Sequence, residues 1–385
     1  MSEVPFTKYT SFGNNFVIVD ETHGPVLLEK DKQSFAYYAT NGCFGIGSDN
    51  FIVVQPSSRQ VLKEINHTFG YWREPPEPDS IDFIFRMLEP DGAEALSCGN
   101  GLMCIARHLN HFYGISESRI LTEIPTSQPK PVQIGMDETE ALYYAELGNP
   151  RRIPNDLIRD LPRMPLDDAI EKIEPLVIKD LRRSDDVEFL GDHGSIQLEG
   201  YLVFTGEPLL VILADEGILP AAPVQFLFPG SVSNTDKPHY LEKRRSTGLA
   251  FINFIGNYLN SHLNPYFPKG INVNFVRRSY PDQLILEYRC FERGIKKETL
   301  ACGTGALACA LVMSKIKGFF SNTITVWPHL YRVSQPQAQI KVKAYPNGWR
   351  IYGEPVLLVD GIFSPRQSQN ARKSDVKNVR ELLLA

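Results

Sequence analysis

Two stretches of this chain carry the same reactive pattern. Glu94-Ala-Leu-Ser-Cys-Gly-Asn-Gly101 returns, 204 positions on, as Glu298-Thr-Leu-Ala-Cys-Gly-Thr-Gly305. Each runs into an apolar, alanine-containing segment, 102–109 and 306–313, that reads as a helix. A cysteine and two glycines therefore stand twice at a helix N-terminus. The first N–H groups of a helix have no internal partner, and the helix dipole is positive there. Glycines let a ligand approach that backbone, which makes the position a carboxylate or phosphate site. The same field favours thiolate over thiol, so Cys98 and Cys302 are both predicted to be acidified and reactive. Two such loops face to face would hold one carboxylate between two helix ends, with a sulfur on each side of the adjacent carbon. One thiolate can take a proton while the opposite thiol delivers one. That is a device for inverting a stereocentre beside a carboxylate without a cofactor.

Plainer readings compete with this one. A single cysteine beside a glycine turn is most often a small buried hydrophobe. Repetition inside a shared eight-residue pattern argues against it and leaves a common helix-packing motif as the bland alternative. Cys104 and Cys309, inside the following helices, read as core. Gly303-Thr-Gly-Ala-Leu-Ala308 formally fits a dinucleotide fingerprint, but no Asp or Glu occurs from Ala306 to Gly353, where the ribose-binding acid belongs. There is no C-x-x-C pair, and Cys104 and His108 lack a second ligand pair, so no metal is expected. All six cysteines, Cys43 and Cys290 included, read as free thiols.

The composition fits this picture. The chain has 385 residues, 43% hydrophobic and 22% charged, enough for two packed domains. A net charge of −5 gives no reason to expect nucleic acid or an anionic membrane as a partner. No apolar run is long enough to span a bilayer, and the N-terminus lacks a signal-peptide pattern; a cytoplasmic location follows by default.

Elements must bring the two loops together. Strands are predicted on either side of the Gly13-Asn-Asn15 turn, at 51–54 and 82–88, near 119–124 and 141–147, at 201–204, 209–213, 272–276 and 283–289, and at 322–327, 339–344 and 349–359. Helical spacing occurs at 34–39, weakly at 166–182, and at 249–263. The Pro-rich stretches 56–80, 148–200 and 218–245 read as insertions. Strands, helix, strands in both halves argue for an α+β fold rather than alternating βαβ units. The expectation is two pseudo-symmetric domains, each a mostly antiparallel barrel-like sheet around a central helix, with the site in the cleft between them. Residues 1–135 form the first and 136–355 the second; 371–385 are a polar tail.

These motifs resemble the diaminopimelate epimerase family of cofactor-independent two-cysteine racemases. Phe6-Thr-Lys…Gly13-Asn-Asn-Phe-Val17, Gly45-Ile-Gly-Ser-Asp49, Asp91-Gly-Ala-Glu…Cys98-Gly-Asn-Gly101, Asn272-Val-Asn-Phe-Val276, Glu292-Arg-Gly…Cys302-Gly-Thr-Gly-Ala306 and Gly353-Glu-Pro-Val…Gly361 follow in that family's order. The resemblance implies Cys98 and Cys302 as the acid–base pair. It implies a carboxylate held by the backbone of Gly99-Asn100 and Gly303-Thr304, and substrate contacts from Asn14, Asn272, Glu292 and Arg293. It also implies that the chain packs back on the first domain from about residue 356, so that 356–370 complete that domain. The implied reaction is interconversion of LL- and meso-diaminopimelate, on the route to lysine. A small-molecule amino acid is the implied partner, a homodimer is left open, and no cofactor is needed.

The chain departs from the family at the far end of the pocket. Glu89 and Glu207 stand where the family has substrate-binding Asn, Leu209 where it has a His that tunes a cysteine, and Asn50 where it has Gln. The stretch from Glu292 to Cys302 is one residue longer. Two added carboxylates repel a distal carboxylate and suit a cationic group. A racemase of another amino acid, with a basic side chain, is thus the alternative. Beyond it stand a fold relative acting on a non-amino-acid metabolite and a non-catalytic binding paralogue.

Overall fold

The computed structural model describes residues 3–179, 195–220, 224–230, 238–261, 264–279, 284–318 and 321–364. The expected tail 371–385, and parts of the expected insertions 148–200 and 218–245, lie outside these residues.

The first half begins with β1 (Val4–Ser11) and β2 (Asn14–Asp20). The hairpin between them turns at Phe12 and Gly13, both with positive φ, which is why a glycine stands there. Then come α1 (Glu29–Thr40), β3 (Asn50–Pro56), α2 (Arg59–Phe69), β4 (Phe83–Leu88), β5 (Glu94–Ala95), α3 (Gly99–Tyr113), β6 (Glu117–Thr122), β7 (Lys130–Asp137) and β8 (Leu142–Gly148). The second half contains β9 (Arg163–Pro165), β10 (Glu171–Ile173), β11 (Leu176–Lys179), β12 (Ser195–Leu198), β13 (Tyr201–Phe204), β14 (Pro208–Leu213) and β15 (Ile218–Leu219). It continues with α4 (Val224–Leu227), α5 (Pro238–Leu259), β16 (Asn272–Arg278), β17 (Ile285–Glu292), β18 (Lys297–Thr299), α6 (Gly303–Lys317), β19 (Thr323–Pro328), α7 (His329–Arg332), β20 (Ile340–Tyr345) and β21 (Gly348–Gly353); β22 (Val356–Phe363) follows.

Strand pairing makes the two halves copies of one plan. In the first, β1–β2 is antiparallel, β2–β3 parallel, β3–β4 antiparallel, β4–β6 parallel, and β6–β7–β8 antiparallel. In the second, β13, β14, β16, β17, β19, β20 and β21 pair in the same sequence of senses. β8 pairs with β21 and fuses both into one 19-stranded, mostly antiparallel sheet. The connections cross over. β10, which follows the first half, pairs with β13, and β22, which follows the second, pairs with β1. The fold is α+β, with each half of the sheet wrapped around one helix, α3 or α6.

Those helices are buried on nearly every face, as an apolar helix with no polar stripe must be. Both end on a left-handed glycine, Gly114 and Gly318, whose N–H closes the last turn on Asn110 and Ser314. Both begin at the repeated motif, and the motif's glutamates explain its rigidity. Glu94 receives two bonds from Arg86 of β4, at 2.8 and 2.7 Å; Glu298 receives two from Arg289 of β17, both 2.6 Å. These bidentate pairs are buried and pin each cysteine loop to the strand beside it.

Several expectations need correction. The stretch 56–80 is not simply an exposed insertion. Ser58 caps α2, accepting from Val61 N–H at 3.2 Å, and Leu62 and Ile65 bury one face against Trp72, Ile84 and Leu121. Of the weak helical pattern at 166–182, the part within the described residues, 166–179, holds no helix but two strands, β10 and β11, where branched Ile173, Val177 and Ile178 suit a pleated surface. The single strand foreseen over 349–359 is two, broken at Glu354-Pro355, and β7 was not foreseen. The helix foreseen at 249–263 is the second part of α5.

Glu298→Ala strands the Arg289 guanidinium in the interior. It should destabilise the fold by about 3–5 kcal/mol, read as a lower urea midpoint; an unchanged midpoint would mean the pair carries no structural load.

Candidate active site

α3 and α6 meet end to end. A Cβ placed on Gly99 would lie 3.7 Å from the Gly303 Cα and 2.3 Å from Ile351 Cδ1; one on Gly303 would lie 2.7 Å from the same Ile351 atom. A side chain at either position would have to push the end of Ile351 aside. Asn100 Nδ2 donates across it to Ala301 O at 3.3 Å. Cys98 and Cys302 are the N-caps of the two helices, both with extended backbone.

Beside this junction opens a cleft of about 1110 Å³. Its wall includes all thirteen residues singled out from sequence: Cys98 and Cys302; Gly99, Asn100, Gly303 and Thr304; Asn14, Asn50 and Asn272; and Glu89, Glu207, Glu292 and Arg293. Its outer part adds residues the sequence reading did not name, among them Asn257, Asn260 and Lys269. Asn260 could have drawn notice only through its fold role: it caps the loop of Gly270 and Ile271, accepting from Ile271 N–H at 2.7 Å.

The two thiols sit in different environments, which corrects the expectation of two equally acidified cysteines. Cys98 Sγ accepts the Gly101 N–H at 3.5 Å and lies 4.0 Å from Asn14 Oδ1. Burial pushes its thiol well above the usual range; Gly101 opposes that, while the charges of Glu292 and Cys302 add to it. Desolvation there outweighs the helix field. Cys302 is held down to about 7 by hydrogen bonding from Cys290, then by Thr304 and the Gly305 N–H, against burial and the Glu207 charge. The Thr304 hydroxyl lies 3.3 Å from Cys302 Sγ. Tyr288 fixes the backbone: its hydroxyl donates to Cys302 O at 2.9 Å and accepts from Cys302 N–H at 2.8 Å.

The far end of the cleft is acidic. Glu207 forms an ion pair with Arg293, whose other guanidinium nitrogen donates to Lys269 O at 2.8 Å. The Arg293 N–H donates to Asn272 Oδ1 at 2.9 Å. Asn50 Nδ2 donates to Glu89 Oε2 at 2.8 Å. Burial, then the Glu207 charge, raises the Glu89 carboxyl to about 7. Burial, then the Cys302 charge, raises Glu292 well above the ordinary carboxylate range, while the Thr299 hydroxyl bonds to it and opposes the shift. Leu209, which takes the place of the family's His, is fully buried core.

Similarity to known proteins agrees with this geometry. No protein-family model matches the chain. A hydroxyproline epimerase from Agrobacterium vitis shares the fold, with a TM-score of 0.51 at 11% identity, covering 94% of this chain and 92% of that one. A probable proline racemase from Agrobacterium radiobacter K84 matches at 0.51 and 10% identity, covering 97% and 95%. In sequence, a diaminopimelate epimerase from Methanothrix thermoacetophila is 27% identical over 330 residues, 85% of this chain and 86% of its own length. One from Psychrobacter cryohalolentis is 26% identical over 365 residues, 94% of each. The chain is an isomerase. Within that class its relatives over most of its length are the diaminopimelate epimerases. Among the described residues no helix is long and apolar enough to cross a membrane.

Tyr288→Phe leaves the buried Cys302 N–H and C=O without their shared partner. A loss of about 1–3 kcal/mol in a thermal or urea melt is expected, and an unaltered melt would show that the loop holds itself.

Proposed function

We propose that this chain inverts the α-carbon of an amino acid with Cys98 and Cys302 as its two proton-handling groups and no cofactor. The observation that carries this reading is the pair of facing helix N-termini, each capped by a cysteine, in one cleft. The substrate carboxylate lies between the ends of α3 and α6, on the N–H groups around Gly99-Asn100 and Gly303-Thr304. The Cys302 thiolate takes the α-proton. The electron pair of the broken C–H bond passes into the carboxylate, where both helix ends stabilise the extra charge. The Cys98 thiol gives its proton to the opposite face of the carbon, which inverts it and leaves a Cys98 thiolate. The reverse reaction exchanges the roles.

The substrate we propose is diaminopimelate, interconverted between LL and meso forms, because the curated relatives carry that name. A second reading, a racemase for a basic amino acid, is supported by the far end of the cleft. Arg293, the natural partner of a distal carboxylate, is already engaged by Glu207, and Glu89 adds a second acid that ionises near neutrality. That wall suits an ammonium or guanidinium group.

Deuterium should enter the α-position of the substrate in D₂O without pyridoxal phosphate. Cys98→Ala and Cys302→Ala should each lower racemisation by ~10²–10⁴-fold; full activity in either variant refutes the two-base reading. As a base, Cys302 works ionised, so kcat/KM should fall as pH drops through about 7, checked by initial rates. Side-by-side assays with diaminopimelate, lysine and arginine decide the substrate. If the basic amino acids win, Glu89→Asn with Glu207→Asn should shift preference toward diaminopimelate; efficient turnover of diaminopimelate by the unaltered chain sinks the second reading.

A further inference from the structure

The pairing registers fix which residues of the two halves are equivalent. Asn50 faces Phe16 in the parallel pair β2–β3, and Asn272 faces Leu209 in β14–β16. Two residues on, Ile52 matches Asn274. Leu88 faces Glu94 in β4–β5, and Phe291 faces Glu298 in β17–β18. Hence Met87 matches Cys290, and Ala95 matches Thr299. The registers are consistent, since Ile52 pairs with Met87 and Asn274 with Cys290.

These positions lie against the cysteine loops. A Cβ on Gly101 would meet Ile52 Cδ1 at 3.0 Å, and one on Gly305 would meet Asn274 Oδ1 at 2.4 Å and Cys302 Cβ at 3.3 Å. Cys98 and Ala95 both pack against one apolar cluster, which spans the two halves and includes Ile52 and Met87. Around Cys302 all three equivalents are polar. Cys290 Sγ, a Glu292 carboxylate oxygen and Cys302 Sγ lie within 4.8 Å of one another, and Cys290 Sγ is 3.0 Å from Thr299 Oγ1. Asn274 is fully buried, and neither atom of its amide has a hydrogen-bond partner among the described residues. The scaffold is symmetric and its lining is not.

We infer that Cys290 and Thr299, with Asn274 beside them, are positioning residues that make Cys302 the resting base, while Met87, Ala95 and Ile52 leave Cys98 the resting acid. A buried thiolate needs donors, and methyl and thioether groups supply none. The Thr299 hydroxyl has one proton, which an ionised Glu292 would claim. With the raised Glu292 carboxyl protonated, Glu292 O–H gives to Thr299 Oγ1, Thr299 O–H to Cys290 Sγ and Cys290 S–H to Cys302 Sγ, a chain whose members strengthen one another. The Thr304 hydroxyl and the Gly305 N–H also support charge on Cys302, each less than Cys290 does, and the remaining groups facing it do not. Glu207, Glu292 and Cys98 oppose a second charge, Tyr288 is committed to the backbone, and Cys309 is a buried thiol behind it in α6. The hydrogen bond from Cys290 is the largest influence lowering the Cys302 thiol. The catalytic meaning of this asymmetry rests on the proposed function: an enzyme at rest with one thiolate is ready for only one of two enantiomers. The asymmetry itself does not depend on it.

Iodoacetamide labelling of the full-length chain, without substrate and followed by peptide mass mapping across pH, tests the inference. Cys302 should label faster than Cys98 at neutral pH. Cys290→Ala should slow Cys302 labelling at neutral pH about fivefold, corresponding to a titration shifted up by roughly one unit from about 7. Cys290→Ser, which keeps a donor, should retain most of the rate, and Thr299→Ala should slow it without changing Cys98. Should Cys290→Ala fail to fold, Thr299→Ala decides alone. Faster labelling of Cys98 in the unaltered chain, or a Cys302 profile unmoved by these variants, overturns the inference. Absence of α-proton exchange in the unaltered chain would instead overturn the proposed function and leave the labelling result standing.

Discussion

Two positive helix ends face each other at the centre of this molecule, and like ends repel unless negative charge lies between them. That constraint organises the rest. The ends come this close only because Gly99 and Gly303 leave room beside Ile351. They hold their places because Arg86 and Arg289 pin the motif glutamates, and because Tyr288 ties the Cys302 backbone. An anion seated there relieves the repulsion, and on the proposed reading the extra charge that develops on it during proton removal relieves it further.

The acidic far wall tempers this field. Glu207 neutralises Arg293, and the Glu89 and Glu292 carboxyls are both raised, so that wall carries less charge than three glutamates suggest. The near end of the cleft is organised for a carboxylate and the far end is not. A substrate bound across it has a fixed orientation, which a site inverting one stereocentre requires.

Much of the site was legible in the sequence because its logic is local. A cysteine between a glutamate and two glycines, ahead of an apolar run, specifies a helix cap wherever it occurs, and its repetition specified the pairing of two. All thirteen named residues reach one cleft. The difference between the thiols was not legible. It depends on Met87 against Cys290 and on Ile52 against Asn274, equivalences that appear only once strand registers are known. The strand at β7 escaped because Pro131 and Gly135 interrupt its pattern, and α2 because prolines nearby masked a short amphipathic turn. The wrong helical reading at β10 and β11 reflects how little periodicity four residues can hold.

The exchange of strands between halves sets an order in time. β1 finds its outer neighbour only in β22, on the far side of the whole second half of the sheet. On the ribosome the first half can collapse around α3 early, but its sheet keeps an open edge until residue 363 has emerged. The nascent chain must carry that unpaired edge until the whole second half has followed it out, which makes the strands of the first half the part most in need of protection during synthesis.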